Sequence, residues 1–330
     1  LRTSASCQRT DIPSPGVHTI NVWMREDGVI LDKLVLTANP GYTPTGAGPA
    51  ASPRVGSEVQ PPVAASSARL VNLATRALVG GSAGSPIAGF VIAGTGTKRM
   101  LIRAVGPGLA AFGLAGTVPD PSVAVVTGGT TLVSNDTWSA TDAAVFAAVG
   151  AFALPAGSSD AAVVRSLGTG AYTTPVGAGS GSGIALLEVY DTEPASLAAG
   201  LANASTRAFV GTGDAVLIPG FVVAGTGYLR LLVRAVGPTL GDFGVPGVLA
   251  DPQLTVYRDA TPLGGNDNWS TSANAAEIAA TAAQVAAFAL PGESRDAAVL
   301  LALPAGAYTV NVSGVSGTTG TALVELYAVP

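Results

Sequence analysis

Residues 98–107 read Lys98-Arg99-Met100-Leu101-Ile102-Arg103-Ala104-Val105-Gly106-Pro107, and residues 228–238 read Tyr228-Leu229-Arg230-Leu231-Leu232-Val233-Arg234-Ala235-Val236-Gly237-Pro238. Each is a β-rich run entered from Gly-Thr-Gly (94–96 and 225–227) and stopped by Gly-Pro. The arginines that close the two runs, Arg103 and Arg234, lie 131 residues apart, and so do Arg76 and Arg207, and Trp138 and Trp269. At Asp160 and Asp296 the offset has widened to 136, so the second copy carries a longer connection after its tryptophan. The pattern closes on Gly170-Ala171-Tyr172-Thr173 against Gly306-Ala307-Tyr308-Thr309, then Glu188-Val189-Tyr190 against Glu325-Leu326-Tyr327. The chain therefore holds one module twice, over residues 66–193 and 194–330.

Working outward, Leu254 to Tyr257 and Tyr308 to Val312 alternate with period two, which suits a sheet with one face on a core and one in water. Ala322 to Tyr327 reads as a final strand, with Glu325 on the exposed face or at an edge. The Gly-Thr-Gly stretches read as hairpin turns. Asn274 with Glu277 three residues on predicts a capped helix over 278–287, ended by Leu290-Pro291. The first copy has a shorter counterpart over 142–149, weakened by Gly150. The expected fold is all-β, two tandem β-sandwich repeats, each with one short helix.

Composition supports that class. Hydrophobic residues make up 48% and charged residues 11%, which argues against disorder. The 43 glycines and 23 prolines are scattered as turn punctuation with no fixed period. No apolar run reaches the roughly 18–20 residues a membrane helix needs, so no membrane insertion is expected. With two lysines and a net charge of −5, the chain has no basic cluster, and nucleic acid is set aside as a partner. A single cysteine, Cys7, allows no internal disulfide. The chain opens at Leu1 with neither Met nor a leader pattern, which predicts a processed or partial N-terminus.

The latter half of each copy resembles the bacterial pre-peptidase C-terminal domain. The matching residues run from Asp251-Pro252 through Asn266-Asp267 to Asp296-Ala297-Ala298-Val299, then Leu303-Pro304-Ala305-Gly306-Ala307-Tyr308-Thr309-Val310. That resemblance implies a jelly-roll-like β-sandwich in secreted, multidomain proteins, found beside enzymes rather than as one. The complete repeat resembles tandem C-terminal modules of large secreted bacterial proteins. Gly16-Val17-His18-Thr19-Ile20-Asn21-Val22-Trp23 and residues 28–37 resemble the closing strands of a galactose-binding-like, carbohydrate-binding jelly roll. Residues 1–38 are then the remnant of such a β-sandwich, and 39–65 a Pro/Gly/Ser-rich linker.

Catalytic patterns are sparse. The lone histidine, His18, sits on an expected strand, where a structural role outweighs a catalytic or metal one. Cys7 is not placed as an activated nucleophile. No Gly-Lys pair accompanies the Gly-Thr-Gly stretches, so they do not read as phosphate loops. Asn135-Asp136 and Asn266-Asp267 offer oxygens of the kind calcium takes, with Asp120, Asp160, Asp251 and Asp296 as further donors. The competing reading is an Asx turn, in which each side chain bonds its own backbone. Trp138 and Trp269 follow these turns and either stack on a sugar ring or anchor a core. Arg103 and Arg234 are expected to be structural, bonded to loop carbonyls or to Asp120 and Asp251. No cofactor other than calcium is implied.

The sequence thus predicts a non-catalytic structural, spacer or adhesion module of a secreted or cell-surface bacterial protein. Its partners would be extracellular polysaccharide or other surface proteins. The alternative is a pair of carbohydrate-binding modules appended to a polysaccharide-active enzyme.

Overall fold

The computed structural model describes residues 66–179 and 181–330. The readings of 1–38 as a sandwich remnant and 39–65 as a linker lie outside the described residues, as do Cys7 and His18. The first half contains β1 (Arg69–Val79), β2 (Ile87–Val105), β3 (Ser122–Thr127), β4 (Thr130–Asn135), α1 (Ala143–Ala148), β5 (Ala161–Gly177) and β6 (Gly183–Asp191). The second repeats the series as β7 (Ala199–Val210), β8 (Ile218–Val236), β9 (Pro252–Arg258), β10 (Thr261–Asn266), α2 (Ala275–Gln284), β11 (Ala297–Gly314) and β12 (Gly320–Val329). The protein is all-β, its strands antiparallel and joined in one hydrogen-bonded network.

Two long strands, β2 and β8, change partner midway, and this gives the network its layers. Residues 87–94 of β2 pair with β7, residues 100–105 pair with β6, and β5 follows β2 through both segments. In β8, residues 218–224 pair with β1 and residues 230–236 with β12, with β11 alongside. Following partners through these switches gives two paths: β4-β3-β5-β2-β7-β12-β8-β11 and β10-β9-β11-β8-β1-β6-β2-β5. Exchanging each element for its equivalent in the other half converts one path into the other. Each half therefore lends its first strand to the sheet begun by its neighbour.

The Gly-Thr-Gly stretches sit at the switches and are not hairpin turns. Gly94 (φ 108°) and Gly225 (φ 105°) lie within continuous strands, where the register of β2 shifts between Ile92 and Thr97. A Cβ on Gly94 would stand 2.1 Å from the carbonyl oxygen of Ala198, and one on Gly225 2.2 Å from that of Ser67. These residues form bulges that bend one strand from layer to layer. At the second bend, Ser66 Oγ donates to the carbonyls of Thr226 and Tyr228, and Val329 of β12 pairs with Arg230 two residues on.

Between the layers lies one core drawn from both halves, including Leu73, Phe90, Ile102, Leu187, Phe221, Val233 and Leu326. Each such aliphatic or aromatic side chain contributes about 1.5–3 kcal/mol by leaving water. The alternating burial of β1 and β7 is the period-two pattern of a strand with one core-facing side. Residues 100–105 and 231–236 break that pattern, being buried on both faces. Their outward faces are covered by two satellite clusters that include α1 and α2.

α2 starts three residues earlier than the sequence pattern predicts and stops at Gln284, ahead of Leu290-Pro291. Asn274 occupies its cap position without a side-chain cap bond, and Glu277 instead pairs with Arg230 at 2.6 Å. The stop is set by Ala286, which turns left-handed at φ 56°, where the first half has Gly150 at φ 72°. Among the described residues no helix is long and apolar enough to cross a membrane.

Candidate functional site

On the outward face of β2, Leu101, Arg103 and Val105 project from alternate positions beneath the 138–155 loop. Arg103 is fully buried there. Its Nε donates to Glu188 Oε2 at 2.7 Å from the neighbouring β6, and its Nη1 donates to the carbonyl of Phe152 at 2.7 Å. The rings of Phe146 and Phe152 lie 4.9 and 4.6 Å from its Cζ. Tyr190, two residues along from Glu188 and so on the same face, donates its hydroxyl to Glu188 Oε1 at 2.6 Å. Burial, reinforced by the Glu188 charge, pushes the Tyr190 phenol well above its usual range.

The second half repeats this cluster. Arg234 donates through Nε and Nη2 to Glu325 and through Nη1 to the carbonyl of Phe288, and Tyr327 donates to Glu325 Oε1 at 2.7 Å. Burial and the Glu325 charge likewise raise the Tyr327 phenol. The loop-carbonyl role expected of both arginines is present, while their carboxylate partners are Glu188 and Glu325 rather than Asp120 and Asp251. Asp251 bonds Arg295 at 3.0 Å. Glu325 is buried, because the satellite cluster covers the face expected to meet solvent.

Asp160 and Asp296 close the other side of each cluster. Asp160 accepts the backbone N–H groups of Gly106 and Gly108 and the hydroxyl of Ser158. Asp296 accepts the N–H of Gly237 and the hydroxyl of Thr239. The Gly-Pro that ends each long strand thus opens a short 3-10 turn whose free N–H groups face a buried carboxylate.

The repeated Asn-Asp-x-Trp acts as a strand-edge clamp. Asn135 Oδ1 accepts the N–H of Ala162 at 2.9 Å while its amide donates to the carbonyl of Thr137. Asn266 holds Ala298 from both sides, accepting its N–H at 3.0 Å and donating to its carbonyl at 2.6 Å. The N–H groups of Trp138 and Trp269 continue the ladder to the carbonyls of Asp160 and Asp296. Asn135 bonds its own backbone two residues on by donating to a carbonyl, whereas in an Asx turn its side-chain oxygen would accept an N–H there. Both asparagines stitch the exit of one hairpin to the start of the next strand. Asp136 and Asp267 point outward and are exposed. Asn266 and Asp267 also line an open depression of about 490 Å³ with Gln253, Thr255 and Leu263. Among the described residues no group of three or more His, Cys, Asp or Glu side chains stands where it could hold a metal ion.

Both indoles turn inward. Trp138 is half-buried against Phe146 at 5.6 Å and bonds Ser158, and Trp269 is buried with Nε1 donating to the carbonyl of Pro291. The residues that sequence reasoning missed are Glu188, Glu325 and the phenylalanines Phe152 and Phe288. The signal for the glutamates was present in the repeated Glu-x-Tyr, whose spacing puts both side chains on one strand face.

Residues 3–51 match the glycosyl hydrolase family 115 C-terminal domain. That stretch contains residues 15–37, for which the sequence predicts the end of a galactose-binding-like jelly roll; the match is to a different family and does not confirm that resemblance. The uncharacterized protein P23 of Formosa agariphila is 49% identical over 39 residues, which span 12% of this chain and 9% of that protein. Among solved structures, the STIV MCP overlaps with a TM-score of 0.19 at 14% identity, covering 79% of this chain and 95% of that one. Vicilin from hazelnut, Corylus avellana, overlaps with a TM-score of 0.16 at 6% identity, covering 73% and 72%. Scores this low carry no argument about the fold.

Proposed function

We propose that this chain is a non-catalytic structural or adhesive appendage of a secreted bacterial polysaccharide-active protein. The observation that carries the reading is the match of residues 3–51 to a C-terminal domain of glycosyl hydrolases. The geometry of the described residues supports it. The carboxylates of Asp160, Asp296, Glu188 and Glu325 are buried in internal bonds, and no pair of them faces a cleft where a glycosidic bond could be protonated and attacked.

Carbohydrate recognition is the second reading, favoured by the same match. On this reading sugar contact would fall within residues 3–51 and away from Trp138 and Trp269, whose indoles serve the satellite cores. The test is a glycan array with the full chain, with and without calcium, beside a reducing-sugar assay on the same polysaccharides. Binding kept in folded Trp138→Phe and Trp269→Phe variants, without sugar release, is the expected result. Reducing-sugar release by the purified chain would overturn the non-catalytic reading. Glycan binding lost in both folded variants would move recognition to the tryptophan turns, and a calcium requirement lost with it would make Asn135, Asp136, Asn266 and Asp267 candidate metal ligands.

A further inference from the structure

The two satellite clusters differ along their helices, where Asp142, Val145 and Phe146 of the first half correspond to Ile278, Thr281 and Ala282 of the second, and the exchange of Phe146 for Ala282 leaves a hole. The N–H of Ala151 bonds the carbonyl of Phe146 at 2.9 Å, and the N–H of Ala287 bonds the carbonyl of Ala282 at 2.9 Å. The following Phe-Ala-Leu-Pro, 152–155 and 288–291, is identical in the two halves. Phe146 and Ala282 are thus equivalent backbone positions in the last turn of α1 and α2. In the first half the phenyl ring of Phe146 is fully buried between Trp138 and the Arg103 guanidinium. In the second half a methyl group stands in its place.

What remains is a cavity of about 100 Å³ lined by Arg234, Trp269, Ile278, Ala282, Ala287 and Leu290. Exposed alanines at its rim, Ala279 and Ala283, open it to solvent. For scale, an apolar protein cavity of about 150 Å³ stays dry and takes up benzene. Each nitrogen of Arg234 already donates one hydrogen bond, to Glu325 or to the carbonyl of Phe288, which holds the guanidinium in place at the cavity wall. Phe288 lies 4.3 Å from Arg234 Cζ, as Phe152 lies 4.6 Å from Arg103 Cζ. The second ring at Arg234 is that of Tyr327, farther off at 5.6 Å, while the helix-borne ring at Arg103, that of Phe146 at 4.9 Å, has no counterpart on α2. A guanidinium attracts the negative face of an aromatic ring by about 0.5–2 kcal/mol, depending on desolvation.

We propose that this cavity is a binding site for a single uncharged aromatic ring, which takes the position that Phe146 fills in the other half. The first half of the molecule shows the occupant: a six-membered ring beside a tryptophan and over an arginine. A saturated ring of the same size has no π face and gains only the apolar part of the interaction.

Benzene is the probe, cyclohexane the control, and the indole N–H resonances of the full chain the readout. Millimolar benzene is expected to shift the Trp269 signal and leave Trp138 in place, with cyclohexane at least threefold weaker. Ala282→Phe, which rebuilds the first-half packing, is expected to weaken benzene binding at least tenfold and to raise the melting temperature. Where that variant fails to fold, Ala282→Leu blocks the cavity with a smaller side chain and must weaken binding in the same direction. An unmoved Trp269 signal at saturating benzene, equal shifts at both tryptophans, or benzene binding unchanged in a folded blocking variant overturns the proposal.

Discussion

Thr75 Oγ1 lies 2.8 Å from Thr206 Oγ1, both hydroxyls buried, and the two residues occupy the same position in the two copies of the module. A hydrogen bond between equivalent atoms places the pair on an axis that exchanges the halves. The packing is that of an isologous dimer, in which a patch meets its own copy, here written within a single chain. Removing one hydroxyl leaves its partner buried and unpaired at a cost of about 1–3 kcal/mol, whereas removing both is nearly neutral. Thr75→Val and Thr206→Val are each expected to lower unfolding free energy by that amount, and the double variant to recover most of it. Additive losses in chemical denaturation would contradict the pairing.

The exchange of β1 and β7 predicts how an isolated half behaves. Residues 66–193 alone lack β7, the partner of residues 87–94 of β2. Another copy can supply its own β1 in that place. Light scattering is expected to show a dimer, whose stability depends on concentration. A folded monomer would mean that β1 can turn back into its own half.

Ala286 sits at φ 56°, a region that costs a side-chain-bearing residue about 1–2 kcal/mol. The glycine at the matching position, Gly150, avoids that cost at the expense of chain entropy. Ala286→Gly should therefore stabilise the protein by about 0.5–1 kcal/mol, and Gly150→Ala should destabilise it by a similar amount. Melting temperatures of the two variants moving in the same direction would refute the equivalence of these turns.

The two arginine clusters make alkaline stability depend on tyrosine. Folded Tyr190 and Tyr327 hold their protons above the ordinary value of 10.0, with burial as the main cause and the paired glutamate next. Between the unfolded and folded values the folded chain binds more protons, so unfolding free energy falls as pH rises. The stabilisation is intact below pH 10 and lost progressively above it. A Tyr190→Phe/Tyr327→Phe variant should show a flatter decline of melting temperature above that pH. An unchanged slope would mean that other groups control alkaline unfolding.

Arg103→Met leaves Glu188 buried beside a neutral side chain, and breaking such a pair costs about 3–5 kcal/mol. The paired change Arg103→Met/Glu188→Leu should recover most of that loss in denaturant titrations. Failure to recover would show that the Phe152 carbonyl, also bonded by Arg103, matters more than the ion pair.

These features were unequally legible in the sequence. The repeat, the strand character of β2 and β8, and the two short helices follow from local pattern, since spacing and period are written along the chain. The partners of Arg103 and Arg234 do not, because Glu188 is 85 residues from Arg103 and only the register of β2 against β6 brings them together. Strand exchange was hidden for a different reason. β1 and β7 carry the same alternating pattern, so either satisfies the core-facing demand of either sheet. Glu325 was misassigned to the exposed face because alternation identifies two faces without saying that a satellite cluster covers the outer one.

The bend of β8 has a consequence for how the rest of a polypeptide is held. Ser66 is fastened at Thr226 and Tyr228, and Val329 runs beside Arg230, so the two ends of this 265-residue body emerge at nearly the same place. Placed within a longer chain, such a body hangs from its tether as a pendant and adds little reach between its neighbours. Joining residue 330 to residue 66 with a short loop and reopening the chain at an exposed turn should then leave the architecture intact.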